Sequence, residues 1–272
     1  MTEIIIEAGK SSKEYFRDLW RYRELFYFLA WRDVLVRYKQ TIIGVAWSVI
    51  RPLLTMVIFT FVFGKIARLP SNGVPYPLLV YSAMLPWQFF ANSFQESSHS
   101  LITNSKMISK VYFPRLIIPT TALIVSLIDF LISLFILSGL MVWYSYLPGW
   151  HIVLLPIFLL LTALFSLGAG LWISALNVKY RDFRYVIPFI LQFGLYISPV
   201  GFSSNTIPSK WHLLYSLNPM VGVINGFRWS ILGWNVHLNW QELIFSFIVV
   251  SFVLFTGIRF FRKTEKIFAD IL

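Results

Sequence analysis

Six long apolar stretches constrain this 272-residue chain more than any other feature of its sequence. Each is roughly 20 residues long, the length of helix needed to cross about 30 Å of hydrocarbon. They lie at 41–66, 77–95, 116–146, 152–178, 185–202 and 243–261. A soluble fold cannot cover so much apolar surface, since 57% of the residues are hydrophobic and only 13% are charged. We therefore predict an all-α membrane protein with six transmembrane helices.

The basic residues predict how these helices are oriented. An even number of crossings puts both termini on the same side of the membrane. Most Lys and Arg residues lie before the first stretch, after the second, after the fourth, or at the end of the sixth, whereas the opposite side holds only Lys65, Arg68, Lys210 and Arg228. Because loops rich in Lys and Arg stay in the cytoplasm, we expect both termini there. The net charge of +11 then reflects orientation, and we expect no binding to nucleic acid.

The segment at 13–41 predicts an amphipathic helix that is too charged to cross the membrane. Lys13, Arg17, Arg21 and Glu24 recur at helical spacing on one face. Apolar side chains gather on another face: Phe16, Trp20, Tyr27, Trp31 and Val34. Such a helix lies in the plane of the cytoplasmic interface. A soluble helix packed on a cytoplasmic partner is the alternative.

The region at 203–242 is half apolar but cannot form one spanning helix. Prolines and glycines interrupt it at Pro208, Pro219, Gly222, Gly226 and Gly233. Irregular backbone at membrane depth is tolerated where protein or a wet cavity satisfies its polar groups. We therefore predict short re-entrant helices on the external side before the last span. The expected organisation is an N-terminal region at 1–40, a transmembrane domain at 41–262 and a cytoplasmic tail at 263–272.

The residues that an enzyme would need are missing from the sequence. The chain has no cysteine, and its four histidines do not have the spacing of metal ligands. It also lacks the glycine-rich loop with Lys-Ser or Lys-Thr that cradles the phosphates of ATP. We expect no cofactor on this chain, and any ATP that powers it must be bound by another chain.

Five short motifs, in order along the chain, carry a resemblance to a known family. They are RYKQTIIGVAW at 37–47, KVYFPRLIIP at 110–119, NVKYRD at 177–182, ISPV at 197–200 and LNP at 217–219. The set resembles the polysaccharide and polyol-phosphate permeases of the ABC-2 exporter class, which includes O-antigen, capsule and teichoic-acid exporters. The resemblance implies a homodimer in the bacterial inner membrane with two copies of a separate ATPase, which binds ATP and magnesium. The implied cargo is a glycan linked to a polyprenyl pyrophosphate lipid, with O-antigen as the main expectation.

The resemblance also places a translocation path at the dimer seam, between the first and fifth spans. A sliding polysaccharide needs weak contacts with every sugar, and aromatic rings provide them by stacking on the apolar faces of pyranose rings. The candidates are Phe59, Phe61 and Phe63 in the first span, and Phe189, Phe193 and Tyr196 in the fifth. The last three share one helical stripe, whereas residues two apart on a helix diverge. The alternative is that these rings face lipid or the protein core.

Two cytoplasmic sites follow from the same resemblance. The pyrophosphate would meet cations at the entrance, for which the candidates are Arg37, Lys39, Arg51, Lys179 and Arg181. Placement of positive charge on the cytoplasmic side explains these residues equally well. The loop at 97–110, expected to form a short helix along the membrane surface, and the turn at 179–184 would dock on the ATPase. The coupling candidates are His99, Ser105, Lys106, Lys110, Tyr180, Arg181 and Asp182.

Two other classes of protein stay open at this stage. A proton-driven secondary transporter would have repeated halves or paired intramembrane carboxylates, and only Asp129 lies near the middle of a span. We expect an internal ion pair or hydrogen bond at Asp129. A membrane glycosyltransferase would need a cluster of carboxylates or histidines, for which the external side offers Glu242, His151, His212 and His237.

Overall fold

The computed structural model describes residues 12–39, 42–71, 73–180, 182–233 and 238–268. In these ranges the regular structure is helical, without strands. The α-helices are α1 Ser12–Arg21, α2 Arg23–Tyr38, α3 Ile42–Phe59, α4 Tyr76–Thr103, α5 Ser105–Ile108, α6 Ile117–Trp143, α7 Leu155–Lys179, α8 Phe183–Ile197, α9 Ser209–Ser216, α10 Pro219–Leu232 and α11 Trp240–Thr264. The expectation of an all-α membrane protein is confirmed as far as these residues go.

Four helical segments are long and apolar enough to cross a membrane. They are Ala46–Ile66, Ile117–Trp143, Trp150–Lys179 and Trp240–Ile267. They match the first, third, fourth and sixth predicted crossings. The second crossing corresponds to α4, which has 28 residues but interrupts its apolar side chains with Ser, Asn and Gln. The fifth corresponds to α8, which has 15 residues and is shorter than the stretch at 185–202.

The early end of α8 has a local cause. Pro199 follows Ser198, whose backbone is extended, with φ −79° and ψ 152°. A proline disfavours helical backbone at the residue before it, so the helix ends at Ile197.

Helix α4 lies at the centre of the fold. It packs against α6, α7, α8 and α10, and the residues from Leu78 to Trp87 are all buried. On the outer side of α7, Gly168 faces Gly257 of α11, where an added Cβ would lie 2.4 Å from the Gly168 carbonyl oxygen. Small residues at such crossings let membrane helices approach closely.

The first span widens near its C-terminal end. Helix α3 continues into a π-helical segment, Thr60–Ile66, which includes two of the aromatic candidates. π-Helices are rare and are frequently found at functional sites. Here the segment packs closely on α4. At Gly64 the two are so close that an added Cβ would lie 2.9 Å from the ring of Tyr76, the first residue of α4.

The N-terminal segment forms two helices that meet at Tyr22. The hydrogen bond from the Tyr22 amide to the Asp18 carbonyl, 3.0 Å, keeps them nearly continuous. Trp20 and Tyr27 are more than two-thirds exposed and Trp31 is half exposed, whereas Leu29 and Ala30 are buried. The predicted segment is therefore helical, but as two helices instead of one, and Trp20, Tyr27 and Trp31 of its predicted apolar face are exposed.

The region before the last helix is broken into short helices, as the sequence predicts. A 3-10 turn at Ser204–Thr206 precedes α9, and α10 follows at once. Pro219 occupies the first turn of α10, and the Asn218 side chain accepts a 3.1 Å hydrogen bond from the Met220 amide, which caps the helix. Gly233, with φ +66°, ends it.

Candidate functional site

Two helices present the candidate aromatic residues, and these helices touch. Phe59 of α3 stacks on Tyr196 of α8, with ring centroids 6.5 Å apart. Phe63 packs edge-on against Phe59 and also lies against the backbone of Gly201 just after α8. The first and fifth predicted spans are thus neighbours in one subunit at this level.

The three aromatic residues of the first span point in different directions. Phe59 is buried and Phe63 half-buried, whereas Phe61 is exposed. Only Phe61 is therefore presented fully to the surroundings. This agrees with the expectation that residues two apart on a helix diverge.

Helix α8 has one packed face and one bare face. Ile187 is buried, and Gly194 lies so close to the Trp87 ring of α4 that an added Cβ would approach it to 2.6 Å. On the opposite face Phe189, Phe193 and Tyr196 are each more than half exposed, and the first two rings lie 4.3 Å apart. The predicted stripe exists, and we name Phe189, Phe193 and Tyr196 the α8 stripe.

The candidate cations do not gather around one point in the described contacts. Arg37 of α2 turns to α6, where it forms an ion pair with Asp129 at 2.7 Å. Lys179 lies 5.3 Å from the centroid of the Tyr180 ring at the end of α7. Lys39 is exposed just after α2, Arg51 is exposed on α3, and Arg181 lies outside the described residues.

Asp129 joins the amphipathic segment to a spanning helix. Besides the ion pair with Arg37, its carboxylate accepts a short hydrogen bond from the Tyr38 hydroxyl. Burial, this hydrogen bond and the charge of Asp129 raise the pKa of the Tyr38 hydroxyl well above its ordinary value, so the hydroxyl keeps its proton and donates. The expected internal partner of Asp129 is therefore present. The sequence did not identify it as Arg37, which is 92 positions away.

The candidate coupling residues lie at the C-terminal ends of α4 and α7 and in the segments that follow them. The expectation for 97–110 is wrong in part, because α4 continues to Thr103 and only Ser105–Ile108 forms a separate turn of helix. Lys106, Lys110, Tyr180 and Asp182 are exposed, and Ser105 is half-buried. His99 lies inside α4, where its Nδ1 is 3.3 Å from the Asn177 amide nitrogen of α7. This position is a contact between helices rather than an open surface.

A polar cluster next to α5 ties the two ends of the chain together. Tyr15 of α1 donates to the carboxylate of Glu265 at 2.9 Å, and the Arg115 amide donates to the same carboxylate at 2.9 Å. The Arg115 side chain also donates to the Glu265 carbonyl. Burial, followed by the charge of Glu265, raises the pKa of the Tyr15 hydroxyl. Motion of the α5–α6 connection would therefore be shared with α1 and the end of α11.

Arg228, one of the few basic residues on the side opposite the termini in the predicted topology, has a structural role. Its guanidinium is buried in α10 and donates to three carbonyl oxygens, those of Leu79 at 3.1 Å, Val200 at 2.9 Å and Phe202 at 2.8 Å. It thereby satisfies the irregular backbone after α8. The Leu79 carbonyl also accepts from the Ser82 hydroxyl at 3.1 Å, but a charged donor such as Arg228 forms the stronger hydrogen bond.

Comparison with known proteins identifies what the chain is similar to. The family model described as "ABC-2 type transporter" matches residues 24–232. The O-antigen export system permease protein RfbA of Klebsiella pneumoniae is 29% identical over 245 residues, which cover 89% of this chain and 92% of that protein. The permease of the same name from Myxococcus xanthus is 27% identical, over 93% and 97% of the two chains. The polysialic acid transport protein KpsM of Escherichia coli is 24% identical, over 86% and 91%.

Proposed function

Because the chain belongs to the ABC-2 type transporter family, we propose that it is the membrane permease subunit of an ATP-driven exporter of lipid-linked O-antigen polysaccharide. The observation that carries this proposal is the similarity of nearly the whole chain to two O-antigen export permeases. Capsule polysaccharide is the second candidate cargo, since KpsM and the capsule export protein CtrC of Neisseria meningitidis are also similar.

The proposed topology has six crossings with both termini in the cytoplasm. Four crossings are the long apolar segments described above. Helix α4 is the second crossing, since the serines that interrupt its apolar side chains, from Ser82 to Ser100, are buried in the protein and away from lipid. Helix α8 with the turn at 198–202 is the fifth crossing. Arg228 stabilises that turn, and α9 and α10 form the external re-entrant part.

The proposed translocation path lies where α3 and α8 of one copy face those of a second copy. Support comes from the α8 stripe, whose rings stand exposed on a helix that packs on α4 through Ile187 and Gly194. Phe61 extends the same kind of surface on the first span. Flat aromatic faces bind successive sugars through weak stacking contacts, which lets a polymer slide. In this assignment Phe59 and Phe63 support the path from behind.

The proposed entrance for the pyrophosphate uses the exposed cations Lys39, Arg51 and Lys179. Arg37 is better placed to hold α2 on α6, because its guanidinium is already paired with Asp129. We keep Arg181 in the entrance as a prediction that rests on sequence.

The proposed ATPase contact comprises the α5 turn and the turn after α7. Lys106, Lys110, Tyr180 and Asp182 are exposed there, and Tyr15, which donates to Glu265, packs against the buried apolar cluster that includes Ile108 of α5. Closing of two ATPases on ATP binding would tilt the docked helices as rigid bodies and open the seam.

The function is tested by restoring export in a bacterium that lacks its own O-antigen permease. The chain is co-expressed with the ATPase encoded beside its gene, and glycan at the cell surface is measured. The purified complex is then given lipid-linked glycans of defined structure while ATP turnover is followed. The proposal expects surface glycan and stimulated turnover only when both proteins are present. Full activity of the chain without the ATPase would contradict it.

A further inference from the structure

A cavity of about 320 Å³ lies between α2, the cytoplasmic end of α4 and the start of α6. It is separate from the α8 stripe, since no residue of α8 lines it. One wall is polar and includes Arg32 and Asp33 of α2 with Glu96 of α4. The other wall is apolar and includes Ile118 and Val125 of α6. A ligand for this cavity needs both a charged part and an apolar part.

Both guanidinium groups on the polar wall are paired with a carboxylate, Arg32 with Asp33 and Arg37 with Asp129, each at 2.7 Å. Glu96, on the same wall, has only a long contact with Arg37, at 3.7 Å. A ligand with only negative charge would be repelled by the carboxylates, and a ligand with only positive charge would be repelled by the guanidiniums. A zwitterionic ligand can satisfy both signs, because each of its charges has an opposite charge on the wall.

The carboxylate of Glu96 can accept a donor from outside the protein. Its side chain is 55% exposed, and its ion pair with Arg37 is long, at 3.7 Å. By contrast Asp33 is held by Arg32, whose Nε and Nη2 lie 2.9 and 2.7 Å from one carboxylate oxygen. Arg32 also donates to the Asn104 side chain at 2.9 Å, which fixes the guanidinium on the cavity wall. The wall therefore offers an open acceptor at Glu96 and a positioned cation at Arg32.

The surroundings of the cavity indicate a lipid. Trp20, Tyr27 and Trp31 are exposed on the same amphipathic segment, and aromatic residues with a polar edge settle at the level of lipid headgroups. The apolar wall on α6 belongs to a helix apolar enough to span the membrane. A small soluble metabolite would gain nothing from this wall, whereas a lipid would place its glycerol and first acyl carbons there.

We propose that this cavity binds the headgroup of a phospholipid with a primary ammonium, phosphatidylethanolamine being the probe of that class. The ammonium donates to the Glu96 carboxylate, and the phosphate accepts from Arg32. Phosphatidylcholine has the same charges but no N–H donor, so it cannot donate a hydrogen bond to Glu96. The bound lipid would join α2 to α4 and α6 at the place where Arg37 and Asp129 already do so. The inference rests on the membrane placement given above, and it adds a lipid requirement to that function.

The test measures lipid retained by the full-length chain. The protein is reconstituted from vesicles with equal amounts of phosphatidylethanolamine, phosphatidylcholine and phosphatidylglycerol, and bound lipids are counted by native mass spectrometry. We expect phosphatidylethanolamine to exceed phosphatidylcholine about fivefold, a ratio that corresponds to about 1 kcal/mol. Glu96→Gln should bring the two lipids to parity. Glu24→Gln, a neutralised carboxylate on α2 outside the cavity, should leave the ratio unchanged.

A second variant guards against a folding defect in Glu96→Gln. Thr103 is exposed at the rim of the cavity, and Thr103→Trp should block entry and remove the preference while leaving the fold intact. Equal retention of the three lipids by the unaltered chain would overturn the inference, as would a preference for phosphatidylglycerol or a preference that survives both variants. Because the measurement needs neither ATPase nor glycan, loss of the lipid preference and failure of export are separate results.

Discussion

Helices α4 and α8 are neighbours, yet they treat their aromatic side chains in opposite ways. On α4 Trp87, Phe89, Phe90 and Phe94 are buried, and Phe90 stacks on Phe165 of α7 with centroids 4.8 Å apart. On α8 the α8 stripe remains bare although Ile187 and Gly194 pack on the other side. Aromatic content alone therefore does not distinguish the packed scaffold from the surface proposed to contact sugar. Whether a ring is buried or exposed separates the substitutions that should unfold the protein from those that should stop export.

The largest loss of stability is expected on the buried side of this comparison. Arg228→Met leaves the carbonyl groups of Leu79, Val200 and Phe202 without their charged donor. Hydrogen bonds to charged groups contribute about 1.5–3 kcal/mol each, so we expect the free energy of unfolding to fall by about 3 kcal/mol or more. Denaturant unfolding of the purified protein in detergent measures this. Arg259→Met, on the exposed face of α11, is the control and should behave like the unaltered chain.

A smaller loss is expected where the amphipathic segment meets the scaffold. Asp129→Asn and Arg37→Gln each remove one partner of the 2.7 Å ion pair. Because Arg37 is one-third exposed, solvent weakens the pair, and we expect a coupling free energy of about 1–2 kcal/mol in a double-mutant cycle. The measurement is the free energy of unfolding of the two single variants and the double variant. Additive effects would mean that the pair does not hold α2 on α6.

The α8 stripe should tolerate truncation without a cost in stability. Phe189→Ala combined with Phe193→Ala removes two exposed rings, so the free energy of unfolding should change by less than about 0.5 kcal/mol. Export should fall about tenfold, because two sugar contacts of about 0.7 kcal/mol each are lost. Surface glycan in the complemented strain provides the readout. Phe255→Ala on α11, a ring of similar exposure, should export normally, and equal defects in both variants would remove the assignment.

The smallest effect on stability is expected at the ATPase contact. Asp182→Lys reverses an exposed charge after α7, so membrane insertion and the free energy of unfolding should not change. ATP hydrolysis by the complex should continue while export is lost, since the docked turn no longer fits its partner. Glu24→Lys, an equivalent reversal on α2, should leave export coupled. Normal export by Asp182→Lys would place the contact elsewhere.

The sequence predicts helices from local patterns and fails where the reason is tertiary. Apolar runs suffice for α6, α7 and α11, and the prolines and glycines suffice for the broken region before α11. The role of α4 depends on neighbours that cover its polar side chains, which hydropathy does not register. The 3.6-residue repeat predicts the α8 stripe as a shared face, but its exposure depends on which face packs on Trp87. The partners of Asp129 and Arg228 are distant in sequence, and no local signal reveals them.

If the α8 stripe lines a seam between two copies of this chain, a cysteine within the stripe should cross-link the two copies. Since the chain has no cysteine, Phe193→Cys introduces a single thiol. In membranes that contain the co-expressed ATPase, mild oxidation should produce a covalent dimer of Phe193→Cys and block export, and a reductant should restore it. Phe255→Cys should stay monomeric under the same conditions. A monomeric Phe193→Cys beside a cross-linked Phe255→Cys would contradict the account and place the seam on α11.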